Sequence, residues 1–231
     1  AAGLLLSLAS AGQAWPTYSV LDVSHLPPNP GYTSYAKGIN GPGHVLLFTD
    51  VIGPGFGYSI CTPTSCTLLS PPFGSDWNAN AVDKYDGVAG AVFAGNQIAY
   101  VGSNVIGYDR ANCPGCGVGK DSEVFGVNQY GEAAGAAGFG LPGLQAFKYT
   151  SSSGMVSLGT LGGTSSEARD INKAGDVVGS SQMPGDTHTH AFLYTGGSMA
   201  DLGLLAGQDA WAHALNNRQT VVGCASDAGT L

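Results

Sequence analysis

Trp77 and Trp211 each stand close to a carboxylate: Asp76 precedes the first directly, and Asp209 lies two residues before the second. An indole face stacks on a sugar ring, and a neighbouring carboxylate accepts hydrogen bonds from its hydroxyls. Trp77, Trp211, Asp76 and Asp209 are therefore the candidate ligand-binding residues, with carbohydrate or another surface protein as the expected partner. The competing reading packs both rings between structural units. Acid–base catalysis would need two carboxylates that converge. Asp76, Asp83, Asp86, Asp170 and Asp209 are instead scattered along the chain. No nucleophile elbow, phosphate-cradling loop or zinc-protease helix is present. No catalytic residue and no cofactor is expected.

Metal chemistry has two starting points. His188 and His190 alternate on one face of an expected strand, with Asp186 nearby, and two such histidines can share a metal. Gln145 occupies the place of His190 one repeat earlier, which favours a packing role. A recurrent Asn or Asp, at 40, 83, 128, 172 and 216, offers one side-chain oxygen per loop. Calcium loops need several carboxylates within one loop. Turn formation accounts for this residue, and no metal is expected.

That residue belongs to a phrase that returns about every 44 residues. The clearest copies span 168–179 and 212–223, a third spans 124–135, and more worn ones span 36–47 and 79–90. Such a period marks a repeat architecture. Around Asn172 the unit reads as four short strands. Ala168 to Ile171 alternates, Asn172-Lys173-Ala174-Gly175 is a hairpin turn, and Val177-Val178 opens a second strand. His190 to Tyr194 and Met199 to Leu204 supply the third and fourth. Four antiparallel strands in this length predict a β-propeller blade rather than a coil of a β-solenoid. Small residues at Ala79, Ala168 and Ala212 suit a crowded first strand beside an axis. Asp86 and Gln219 replace the turn Gly, so those two turns are expected to close differently. The fold class is all-β, a propeller-like array of about five four-stranded blades.

Composition narrows the class further. The chain has 231 residues, 37 of them Gly, and only 10% are charged. With 8 Lys+Arg against 16 Asp+Glu and a net charge of −8, it lacks the basic runs that nucleic acid or anionic membranes require. Residues 1–14 read as a signal-peptide remnant, with Leu4-Leu5-Leu6 as the apolar core and Ala9-Ser10-Ala11 as the cleavage pattern. Residues 15–231 form the repeat domain. Both ends break the repeat phase, as in a fragment, and residues 18–26 resemble an isolated fourth strand. No stretch is long enough to span a membrane. In an exported protein the close pairs Cys61/Cys66 and Cys113/Cys116 are expected as disulfides, leaving Cys224 free.

Three phrases carry a family resemblance. His190-Ala191-Phe192-Leu193-Tyr194 runs into Gly196-Gly197-Ser198-Met199-Ala200-Asp201-Leu202-Gly203. Ser157-Leu158-Gly159-Thr160-Leu161-Gly162-Gly163-Thr164 precedes it, with Ile171-Asn172 and Val177-Val178-Gly179 between. Together they resemble the bacterial extracellular proteins named for their His-Ala-Phe (HAF) repeat, strongly over 145–223 and weakly before. The resemblance implies a secreted, propeller-like protein with no assigned reaction. The expected function is a secreted, non-catalytic binding or cell-surface module. The alternative is a propeller-type glycan-active hydrolase or lyase, which would show convergent carboxylates in a central channel.

Overall fold

The computed structural model describes residues 33–50, 57–70, 77–93, 97–106, 121–204 and 209–226. The first repeat forms β1 (Thr33–Ile39), β2 (Val45–Asp50), β3 (Gly57–Cys61) and β4 (Cys66–Leu68). The second forms β5 (Trp77–Val82), β6 (Val88–Phe93), β7 (Gln97–Val101) and β8 (Asn104–Val105). The third forms β9 (Ser122–Val127), β10 (Ala133–Ala137), β11 (Gln145–Thr150) and β12 (Gly154–Gly159). The fourth forms β13 (Ser166–Ile171), β14 (Val177–Gln182), β15 (Thr189–Thr195) and β16 (Ser198–Gly203). The fifth contributes β17 (Ala210–Leu215) and β18 (Val221–Ala225). Each repeat is its own antiparallel sheet with strands paired in chain order, four with four strands and the fifth with two. One single-turn 3-10 segment, Pro184–Asp186, is the only helical piece among the described residues.

The apolar core lies between the sheets. Leu46, Tyr58 and Ile60 of the first sheet pack on Ala79 and Val82 of the second. Ala89, Ala99 and Ile106 meet Val124, Ala133 and Phe147 of the third. Ala134 and Ala146 meet Ala168, Ile171, Val177 and Phe192 of the fourth. Val178 and Ala191 meet Ala210 and Ala212 of the fifth. No single repeat can bury its own faces, so adjacent repeats fold by covering one another. The middle strand β10 is buried at every position, which explains its unbroken small run Ala-Ala-Gly-Ala-Ala.

The recurrent Asn does more than make a turn. Its Oδ1 accepts from the backbone two and four residues on: Ala174 N at 2.9 Å and Asp176 N at 3.0 Å from Asn172, with the same pair at Asn128 and Asn216. Its Nδ2 then reaches the next repeat. Asn40 donates to the Asp83 carbonyl at 3.0 Å, Asn128 to the Asn172 carbonyl at 3.0 Å, and Asn172 to the Asn216 carbonyl at 3.3 Å. Asp83 has no amide to donate, and it is the position where this relay is interrupted. The differently closed turns expected at Asp86 and Gln219 are not found. Both close like their Gly counterparts, with Asp86 N on the Asp83 carbonyl and Gln219 N on the Asn216 carbonyl. Each adopts the left-handed conformation itself, at φ 65° and 60°. Each also gains a side-chain partner: the Asp86 carboxylate accepts from Asn40 and faces His44, and Gln219 donates to Asp176 at 3.0 Å.

Asp176 sits at the centre of this network and is 7% exposed. Burial alone would raise its pKa, but donation from Thr195, Gln219 and Asn172 outweighs it and holds the carboxyl below the ordinary value of 3.8. A depressed pKa means that the ionised form stabilises the fold above that value and that the contribution is lost as pH falls through the native one. Asp176→Asn should therefore melt lower than wild type at neutral pH, and the gap should narrow below pH 3.8. A gap that stays constant through the acid range would contradict the assignment.

Cys61 and Cys66 are disulfide-bonded, closing the β3–β4 hairpin, and Cys224 is a free, exposed thiol. Cys113, Cys116, Asp76, the 1–14 segment and the expected strand at 18–26 lie outside the described residues. Among the described residues no helix is long and apolar enough to cross a membrane.

Candidate functional site

Each first strand carries a β-bulge at the same phase. Pairing to the second strand skips one residue: Lys37 in β1, Asn80 in β5, Phe125 in β9, Arg169 in β13 and His213 in β17. A bulge leaves the extra residue outside the ladder and re-aims its side chain. In three repeats the residue before it is small and buried, Ala79, Ala168 and Ala212, all at 1% exposure or less. Glycine in the second strand makes room for the bulge. A Cβ on Gly179 would fall 1.9 Å from the Glu167 carbonyl oxygen, and one on Gly90, Gly135 or Gly223 would fall 1.9–2.2 Å from its own counterpart. Over this glycine lies the aromatic of the third strand, since Gly90 pairs with Tyr100, Gly135 with Phe147 and Gly179 with Phe192. The first repeat departs at both places together, with Leu47 opposite Ser59.

All five bulged residues line one cavity of about 380 Å³, to which every first strand contributes. Successive first strands also lie side by side, β1 by β5, β5 by β9, β9 by β13 and β13 by β17. All five repeats thus contribute to one common space. Ala79, Ala168 and Ala212, expected in a crowded first strand, are all buried. Those small residues let the strands approach, while the residue after each one faces the cavity.

The cavity lining is chemically uneven. The Arg169 guanidinium lies 4.5 Å over the Phe125 ring and pairs with the Glu167 carboxylate. Asn80 donates to Glu123 at 2.7 Å and to the Val124 carbonyl at 2.9 Å, which locks the second repeat to the third. His213 Nε2 is 3.2 Å from Cys224 Sγ. Asp170 is the one carboxylate among the described residues of the lining. Its Oδ2 accepts from Leu215 N at 2.9 Å and its Oδ1 from Ile171 N at 2.8 Å, tying the fourth sheet to the fifth. Burial raises the Asp170 pKa, and those two N–H donors offset part of the rise. Burial likewise raises Glu167, with Arg169 opposing.

The two tryptophans part company. Trp77 packs between the first two sheets, its ring 4.8 Å from Tyr58 and 6.2 Å from Tyr100. Trp211 lines a second cavity of about 360 Å³ together with Glu167, Arg169, Ser180, Gln182 and Thr189. Trp77 stands two residues before the small residue of its strand and Trp211 one before, so the period-2 alternation places them on opposite faces. Asp209 is committed locally: its carboxylate accepts from Thr189 N at 2.6 Å and its N–H donates to Ser226 at 3.0 Å. His190 faces Asp201 at 2.9 Å, and Asp186 accepts from Thr164, so His188, His190 and Asp186 do not converge. Among the described residues no three His, Cys, Asp or Glu are placed to hold a metal.

The bulged residues were absent from the sequence-derived candidates, although a signal exists. Each lies three residues before the recurrent Asn or Asp, at 37, 80, 125, 169 and 213. That phase is fixed while the residue type differs in every copy, between neighbours that repeat. No family model matches the chain, and no curated protein matches it.

Proposed function

We propose that this chain is a secreted, non-catalytic, β-propeller-like domain of HAF-type repeats that binds a carbohydrate or another surface protein at its axis. The single observation that carries the reading is the convergence of five phase-matched bulges on one cavity. Where the fold repeats faithfully and one position varies, the repeated part is scaffold and the varied part is free to specify a ligand. The Cys61–Cys66 disulfide is compatible with export. Trp211 extends the same surface, because Arg169 lines both its cavity and the common one.

The rival, a glycan-active hydrolase or lyase, draws on Glu167 and Asp170, both held above the usual carboxylate range beside the cavity. A raised carboxylate is what a general acid needs. Both groups are already engaged, however: Glu167 by Arg169 and Asp170 by two backbone N–H groups. Glycan- and peptide-array binding of wild type and of a Lys37→Gln/Arg169→Gln/His213→Gln variant tests the choice. Binding should be present in wild type and fall at least about tenfold in a variant that still melts normally, the scale of losing charge-assisted bonds. Binding unchanged in the variant would move the site away from the axis. Turnover abolished by Asp170→Asn would overturn the non-catalytic reading.

A further inference from the structure

We infer that the axial cavity takes an anionic ligand, a small carboxylate- or sulfate-bearing molecule such as a uronic acid. This rests on the axial-binding reading and deepens it. In the whole chain acids outnumber Lys+Arg by 16 to 8. The cavity lining reverses that balance: Lys37 and Arg169 stand against the single acid Asp170, with Asn80, Phe125 and His213 as the other bulged residues. The two cations come from the first and fourth repeats, so only the folded chain assembles them. Their gathering is not a consequence of local sequence.

Arg169 is best placed to read the anion. Its plane is supported by the Phe125 ring at 4.5 Å and oriented by Glu167. Guanidinium carries five N–H donors in a fixed fork, so donors remain for a second, planar partner. Stacking on Phe125 pre-organises the group, and less side-chain freedom is lost on binding. Asp170, the acid in the lining, has both oxygens turned to backbone donors at 2.8–2.9 Å. Its charge is thereby partly satisfied within the wall. Lys37 and His213, both exposed, line the same cavity and add donors to it.

The test is a titration of the isotope-labelled 231-residue chain with D-glucuronate, D-glucose and sodium sulfate at constant ionic strength, followed by backbone amide shifts. D-Glucuronate should move the amides of Gly38, Ala81, Gly126, Asp170 and Ala214, and D-glucose should not. Arg169→Gln should weaken the D-glucuronate effect at least about tenfold, the loss of a charge-assisted bond. Arg169→Lys should recover only part, because a point charge lacks the fork. Sodium sulfate acting as strongly as D-glucuronate supports the anion class with an inorganic source. D-Glucose moving the same amides equally overturns the anionic inference and leaves axial binding intact. No movement at these amides with any of the three overturns both.

Discussion

Gly179→Ala should lower the melting temperature by about 10 °C, the equivalent of roughly 3 kcal/mol or more for a chain of this size. The added Cβ would fall 1.9 Å from the Glu167 carbonyl oxygen and 2.8 Å from the Ala168 Cα, both backbone atoms that no rotamer change can move. The bulge at Arg169 must flatten or the strands must part. Flattening would also withdraw Arg169 from the cavity, so the same variant should lose ligand binding. Gly41→Ala is the control: its Cβ meets nothing within 4 Å, and stability should hold within about 0.5 kcal/mol. Comparable losses in both variants would mean that general glycine flexibility, not the bulge, sets the requirement.

Asn172→Ala should cost about 3 kcal/mol, because a residue only 5% exposed loses every bond that its side chain makes. The N–H groups of Ala174 and Asp176 lose their acceptor, and the Asn216 carbonyl loses a donor from the neighbouring repeat. The reverse change is available at Asp83, which already closes its own turn through Tyr85 N and Gly87 N at 2.8 Å but cannot donate onward. Asp83→Asn should restore the relay toward the Asn128 carbonyl and stabilise by about 1 kcal/mol. Chemical denaturation of the two variants beside wild type measures both effects. Destabilisation by Asp83→Asn would show that the relay is incidental to how the sheets dock.

Repeat length, strand number and turn positions were legible because they are local. The Asn172-to-Gly175 turn, the Val177-Val178 run and the two glycine-bounded hairpins each announce themselves within a few residues. The worn repeats were harder because their substitutions are compensated across strands. Leu47 replaces the glycine where Ser59 replaces the aromatic, and neither change is intelligible without the pairing. The left-handed Asp86 and Gln219 were misread for a related reason. Their turns are supported by side chains 42–46 residues away, which no local rule contains. Trp77 and Trp211 were paired because each stands near a carboxylate ahead of a first strand, yet one residue of offset sends them to opposite faces. The cavity residues were hidden by their own diversity: Lys, Asn, Phe, Arg and His share only a position. A search for what varies at fixed phase would have found them.

The central claim is that the bulged residues of the first and last repeats face a common space. Spin labels at Lys37→Cys and His213→Cys, in a Cys224→Ser background, measure it by pulsed dipolar spectroscopy. Sheets stacked in a line at roughly 10 Å spacing would separate the first repeat from the fifth by about 40 Å. An arrangement around one cavity of about 380 Å³ places both labels on its wall, with a single narrow distribution under roughly 20 Å. A distribution centred near 40 Å would contradict the account, and the axial site with it.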